Sequence, residues 1–256
     1  MNKTLQDYTK EQLIKEFHKT NAFNKYDRLL TTKVYTEEEL ANIKGIDILF
    51  KQNTITTSFE DTITEILSNT GYIAALNFAD GYEPGGLVLD GYKTQEESLC
   101  RSSNLYKALT TEKCWNEYYN YNKKDRRFSL GKSSDRIIYT RNVTFFRDTN
   151  LEWIDERECR LCDVITCAAP YAGRASDDEI KHRMKNIIKV ANDNRVNTLI
   201  LGCWGCGAFG NDWEHFSKLW WQVFSEIETQ CKIIMATNGK DFISEDILEA
   251  IEYGQF

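Results

Sequence analysis

Proline is nearly missing from this chain, with two in 256 residues, Pro84 and Pro170. Both stand in or beside stretches that read as ligand-facing loops, so neither marks a linker, and no internal repeat or low-complexity tract divides the chain. Histidine is almost as scarce. His18, His182 and His215 fall on predicted helices among charged neighbours, which leaves no Cys-His or Ser-His pairing for nucleophilic catalysis. Nowhere does an uncharged run approach the roughly 20 residues that a membrane span needs, and no apolar segment follows the opening Met1-Asn2-Lys3-Thr4. A soluble, cytoplasmic protein is the expectation. Positive charge is short as well. Lys and Arg number 32 against 39 Asp and Glu, a net charge of −7, which argues against duplex nucleic acid held by charge. The densest basic run, Lys123-Lys124-Asp125-Arg126-Arg127, reads as a solvated loop.

What is present suits one enzyme-sized domain, because 41% hydrophobic residues over this length can bury a substantial core. Eight cysteines without an export signal are expected as reduced thiols. Cys159-x-x-Cys162 and Cys203-x-x-Cys206 have zinc-ligand spacing, but the first pair runs into an apolar strand and the second lies inside a glycine loop. No metal is assigned.

The chemistry concentrates in two glycine loops. Ile73-Ala74-Ala75-Leu76-Asn77-Phe78 reads as a buried strand, and the turn formers Asp80-Gly81-Tyr82-Glu83-Pro84-Gly85-Gly86 follow it. Thr94 stands three residues before Glu97, the spacing of a capping box, so a helix should begin there with Leu99, Leu105, Tyr106 and Leu109 on one face. In the plain structural reading Glu97 merely reaches back to the Thr94 N–H. In the catalytic reading, burial and the adjacent Glu96 oppose ionisation and hold a proton for general acid work. The second loop follows the apolar run Thr198-Leu199-Ile200-Leu201 and reads Gly202-Cys203-Trp204-Gly205-Cys206-Gly207-Ala208-Phe209-Gly210-Asn211-Asp212. Asn211 or Asp212 should cap the next helix, and consecutive N–H groups exposed there suit a phosphate or diphosphate. Gly205 to Gly210 also matches the dinucleotide fingerprint G-x-G-x-x-G. That reading fails on position, because only one further strand follows and Asp241 lies too far along to meet a ribose.

Read coarsely, strands are predicted near 73–78, 136–146, 163–168, 198–202 and 232–236. Helices are predicted near 10–19, 37–44 (begun by Thr36 and stopped by Gly45), 96–109, 178–193 (capped by Ser176), 213–228 and 245–252. The polar stretch 116–135 is the expected long loop. Alternating strands and helices give an α/β class with a mostly parallel sheet.

Leu76-Asn77-Phe78-Ala79, Pro84-Gly85-Gly86 and Gln95-Glu96-Glu97-Ser98-Leu99-Cys100-Arg101-Ser102-Ser103-Asn104-Leu105-Tyr106 together resemble the signature of bacterial-type poly(ADP-ribose) glycohydrolases of the macrodomain superfamily. Ile138-Tyr139, Phe146-Arg147-Asp148, Val164-Ile165-Thr166 and the Trp204–Asp212 loop continue the match, and Tyr35-Thr36-Glu37-Glu38-Glu39-Leu40 resembles the family's N-terminal extension. The resemblance implies a three-layer α/β/α macrodomain over 51–256, with a mixed, mostly parallel central sheet and a helical extension over 1–50 packing on it. It implies hydrolysis of the ribose O-glycosidic bond of poly(ADP-ribose) or of ADP-ribosylated protein or nucleic acid, without a cofactor. Glu97 would be the general acid and base, Glu96 would orient the ribose and Gln95 would support the loop. Gly85 and Gly86 would lie near the distal ribose, with Asn77 under it. Gly205, Cys206, Gly207, Ala208, Phe209, Gly210 and Asn211 would surround the diphosphate, with Phe209 against the ribose. Adenine is expected near Asn238 to Phe242. Three departures bear on substrate, one of them Tyr92 in place of a typically small residue. Asp80 replaces a small or amide residue and suits the site only if it meets a ribose hydroxyl. Leu87 replaces a third glycine, where it obstructs the ligand or reshapes the loop, and this favours the alternative of a binding module with little turnover.

Overall fold

The computed structural model describes residues 4–43, 55–227, 229 and 231–241. Seven strands form one sheet in the order β1-β4-β5-β3-β6-β7-β2. They are β1 (Thr31–Tyr35), β2 (Ile55–Ser58), β3 (Ile73–Phe78), β4 (Ile137–Phe145), β5 (Arg160–Cys167), β6 (Thr198–Gly202) and β7 (Lys232–Ala236). The run β5-β3-β6-β7-β2 is parallel, and β4 and β1 add antiparallel to one side.

Strand alternation builds two cores. Ala74 and Leu76 of β3, Ile165 of β5, Leu199 and Leu201 of β6 and Ile233 and Met235 of β7 face one layer. That layer comprises α2 (Glu37–Asn42), α8 (Asp177–Asp193) and α9 (Trp213–Glu226). Ile73, Ala75, Val164, Ile200 and Ile234 face the other. There lie α1 (Lys10–Ala22), α3 (Thr62–Ser68), α4 (Gln95–Ser102) and α5 (Leu105–Leu109). A period of two thus loads both faces with apolar side chains, as a sheet covered by helices on both sides requires. The three layers are those of the expected α/β/α architecture.

Helix ends follow local chemistry. Thr36 with Glu39 and Ser176 with Glu179 make reciprocal capping boxes, and Asp212 caps α9 through the His215 N–H. Several elements differ from the sequence reading. The helix expected over 96–109 is broken at Ser103 and Asn104. Ser103 Oγ donates to the Leu99 carbonyl and accepts the Leu105 N–H, while Asn104 Oδ1 accepts the Thr144 N–H. The expected loop over 116–135 is helical in its first part, with a π-turn over Trp115–Tyr119 followed by α7 (Asn120–Lys124). Tyr118 and Tyr119 are fully buried, and the apolar surface of the two rings outweighs the polar composition around them. That helical part begins at α6 (Glu112–Cys114). Strands β1 and β2 have no counterpart in the sequence reading, since Thr31-Thr32-Lys33 and Thr56-Thr57-Ser58 lack an apolar alternation. Strand β1 joins the N-terminal segment to the sheet through its register with β4, from Thr31 opposite Arg141 to Tyr35 opposite Ile137. Gly45 and the predicted helix over 245–252 lie outside the described residues.

Gly202 ends β6 where a Cβ would meet the Ala236 carbonyl oxygen of β7 at 2.3 Å. Gly202→Ala is therefore expected to separate β6 from β7 and to lower stability by about 1–3 kcal/mol, read as a reduced urea midpoint. An unchanged midpoint would show that the two strands do not need this close approach.

Candidate active site

Strands β3 and β6 are adjacent and parallel, with Ile73 opposite Thr198 and Ala75 opposite Ile200. The loop over 79–94 and the loop over 203–212 therefore leave the sheet at the same edge, beyond the carboxyl ends of the strands, where open α/β sheets take ligands. Between them is a cavity of about 640 Å³. Asp80, Gly86, Gln95, Glu96 and Glu97 line it from the first loop and α4, and Gly205, Cys206, Gly207, Ala208 and Phe209 from the second.

Gln95 pins the start of α4 to the end of β3. Its Oε1 accepts the Phe78 N–H at 2.9 Å, and its Nε2 donates to the Leu76 carbonyl at 2.8 Å and to Thr62 Oγ1 at 3.2 Å. Both following carboxylates are almost fully buried, with 2% of Glu96 and 4% of Glu97 exposed. Asn77 Nδ2 donates to Glu96 Oε1 at 3.0 Å and the Asp80 N–H to Oε2 at 2.7 Å. Burial nevertheless pushes the Glu96 carboxyl well above its ordinary value, and the nearby Glu97 and Asp80 charges push the same way. Burial also raises Asp80, whose Oδ1 accepts the Tyr82 and Glu83 N–H groups at 2.7 and 3.0 Å.

Glu97 does not complete the expected capping box. Its Oε1 accepts the Leu87 N–H at 2.9 Å and its Oε2 accepts the Thr94 hydroxyl, so the carboxylate turns to the cavity instead of to the Thr94 N–H. Gly86 makes this possible. It has φ +57°, and a Cβ there would lie 2.6 Å from Glu97 Oε1 and 3.1 Å from Glu96 Oε2. The backbone thus meets both carboxylates without a side chain between them.

On the opposite wall Trp204 is fully buried and donates from its indole N–H to the Cys167 carbonyl at 2.8 Å, which anchors the loop to β5. Asn211 Nδ2 donates to the Pro170 and Gly205 carbonyls at 2.8 and 2.9 Å and closes the loop on itself. The main-chain N–H groups of Gly205, Gly207, Ala208 and Phe209 have no partner among the described residues. Unpaired amides at a loop entering a helix are donors for an anion. Burial raises the Cys203 and Cys206 thiols to about 11 and about 12, so neither adds negative charge to the loop near neutral pH. Phe209 packs on Tyr171 with ring centroids 4.3 Å apart.

The family profile described as microbial-type PARG, catalytic domain, matches residues 3–148, more than half of the chain. The chain belongs to the microbial-type PARG family. Poly(ADP-ribose) glycohydrolase (PARG) from Thermomonospora curvata, solved with the inhibitor ADP-HPD, is 22% identical over 96% of this chain and 99% of that one, with a TM-score of 0.70. PARG from Deinococcus radiodurans, solved with ADP-ribose, is 26% identical over 87% of this chain and 90% of that one, with a TM-score of 0.71. Among curated proteins none matches.

Four residues expected at the site of this microbial-type PARG stand behind the cavity wall. Asn77 is fully buried beneath Glu96, Gly85 packs against Tyr106, and Gly210 and Asn211 shape the second loop from outside. Asn238 and Lys240 do line the cavity, and Phe242 lies outside the described residues. Leu87 adopts φ −101°, open to any L-residue, and its side chain is 41% exposed, so the loop needs no glycine there. Sequence reasoning missed Tyr171, Lys93 and the segments Thr4-Leu5-Gln6 and Thr149-Asn150, which also line the cavity. No local pattern marks Tyr171, Thr4-Leu5-Gln6 or Thr149-Asn150, because each arrives from far along the chain; Lys93 stands beside Thr94, and its Nζ donates to the distant Gln6 carbonyl at 2.9 Å.

The raised Glu96 carboxyl has a testable sign. The folded protein keeps a proton that the unfolded chain releases near 4.5, so this contribution to stability is complete below that value and is lost as pH rises towards the folded one. The stability of Glu96→Gln relative to wild type is expected to improve between pH 5 and 7, by at most about 1.4 kcal/mol per pH unit. Parallel stability curves for the two proteins would contradict a protonated Glu96.

Proposed function

We propose that this chain is an ADP-ribose glycohydrolase that cleaves the ribose O-glycosidic bond of poly(ADP-ribose) or of ADP-ribosylated macromolecules, with Glu97 as general acid and then general base. The observation that carries this reading is the shared cavity, where two buried carboxylates face a row of unpaired main-chain amides. Membership of the microbial-type PARG family and the ADP-ribose held by the Deinococcus radiodurans enzyme support the ligand.

In this reading the unpaired amides of Gly205, Gly207, Ala208 and Phe209 take the diphosphate, and the distal ribose lies against Gly86 with its anomeric carbon near Glu97. Glu97 gives its proton to the departing oxygen as the C–O bond breaks through an oxocarbenium-like state. Water then adds to the anomeric carbon and returns its proton to Glu97, which restores the acid. No cofactor is required. Glu96 orients the ribose hydroxyls, with Asn77 and the Asp80 N–H holding its two oxygens in place. Phe209, braced by Tyr171, packs on the same sugar. Residues 1–50 serve as an extension on a macrodomain of 51–256. A cytoplasmic setting goes with this reading and is supported by eight free thiols. The negative φ of Leu87 removes the argument for a distorted loop, while its side chain lines the cavity and so bears on which substrate fits.

Release of free ADP-ribose from poly(ADP-ribose) and from mono-ADP-ribosylated protein measures the reaction directly. Glu97→Gln is expected to keep ADP-ribose binding and to lose roughly 10²–10⁴-fold in turnover. Equal product from variant and wild type would remove Glu97 from the mechanism. Tight ADP-ribose binding with no product from wild type would identify a reader.

A further inference from the structure

Arg101 is fully buried, and none of its three guanidinium nitrogens has a hydrogen-bond partner among the described residues. Other buried arginines in this protein are satisfied. Arg147 bonds Glu16 at 2.6 Å and Thr20 at 2.9 Å, and Arg183 bonds Asp135 at 2.9 Å and the Ala168 carbonyl at 2.8 Å. An interior charge left without such bonds is costly, and a well-packed apolar side chain of similar size would be the more stable choice.

The position of Arg101 supplies a reason. It follows Glu97 by four residues on α4, so the two share a helix face, and the arginine side chain leans back towards the preceding turn. On its other side α1 holds the backbone in place, with the Thr20 hydroxyl donating to the Arg101 carbonyl at 2.6 Å. Glu97 is the foremost charge acting on the guanidinium, yet no ion pair joins them among the described residues. Burial lowers Arg101 to about 10, which leaves it cationic at neutral pH.

We propose that Arg101 is a positioning residue of the hydrolysis: its buried, unbonded cation, one helical turn from Glu97, balances the negative charge that Glu97 acquires when it gives its proton to the departing oxygen. The proposal rests on the reading of Glu97 as the acid. A contact ion pair would lock Glu97 as a carboxylate and spoil it as a proton donor. A cation one step back stabilises the carboxylate without occupying either oxygen, and both oxygens are already held by Leu87 and Thr94. The other titratable groups that act on Glu97 give no such help. Glu96 and Asp80, whose carboxyls burial raises, supply no positive charge, and burial keeps the Cys100 thiol neutral. Compensation of this kind counts most in a site shielded from water.

Arg101→Met and Arg101→Lys separate a charge effect from packing. Arg101→Met is expected to melt at or above the wild-type temperature and to keep KM within about twofold. Its kcat at pH 7 should fall roughly tenfold, and the alkaline limb of its pH profile should move upward, because Glu97 becomes a weaker acid. Arg101→Lys should recover most of the loss. Wild-type kcat and an unmoved limb in Arg101→Met, with Glu97→Gln inactive, would overturn this proposal alone and leave the hydrolase reading standing. So would an equal loss of activity and melting temperature in both arginine variants. Full activity in Glu97→Gln would overturn the reading of Glu97 and this proposal with it. If Arg101→Met does not fold, Arg101→Gln carries the same comparison of pH limbs.

Discussion

The pairing of β3 with β6 is the constraint on which the rest of this molecule depends. These strands are 125 residues apart at their paired ends, Ile73 and Thr198, and their parallel register sends both following loops to one edge of the sheet. The two facing walls of the cavity follow from that register. The carboxylates arrive on the helix after β3 and the unpaired amides on the loop after β6. Had either strand paired elsewhere in the sheet, the same residues would form two unrelated turns.

An acidic protein that is proposed to hold an anionic ligand beside two carboxylates must manage its own charge. It does so by placement more than by added cations. Glu96 is buried deeply enough to favour its protonated form, and the cysteines of the second loop are neutral thiols. The anion-facing wall is built from amide dipoles, which carry no counter-charge that would have to be desolvated. Cationic side chains stand at the margin, with Lys93 and Lys240 on the cavity wall and Arg101 behind Glu97. Each of these groups works through burial and distance, and net charge alone describes none of them.

Much of the frame was legible because it is local and periodic. Ile73–Phe78 and Thr198–Gly202 carry apolar runs that survive in almost any α/β context, and the capping boxes at Thr36 and Ser176 need only four consecutive residues. Edge strands β1 and β2 were illegible, since their threonine-rich residues carry no apolar alternation and in β1 only Val34 and Tyr35 at its end are buried. The stretch after Glu112 misled because its composition is polar while its two central tyrosines are core residues. Thr94 misled for a different reason. Its spacing to Glu97 is that of a capping box, but the Leu87 N–H, brought in by the glycine turn at Gly86, competes for the same carboxylate.

The sequence by itself determined the alternation of strands and helices, the two glycine loops and the adjacent pair of glutamates, because these depend on neighbours within a few residues. It also carried the family, through motifs spread along most of the chain. Only the tertiary structure decided that Glu97 turns to the cavity while Asn77 lies beneath Glu96, and that Tyr171 and Lys93 join the wall. Those outcomes are set by which distant groups win a carboxylate or fill a space, and that competition takes place between segments whose separation along the chain carries no record of their contact.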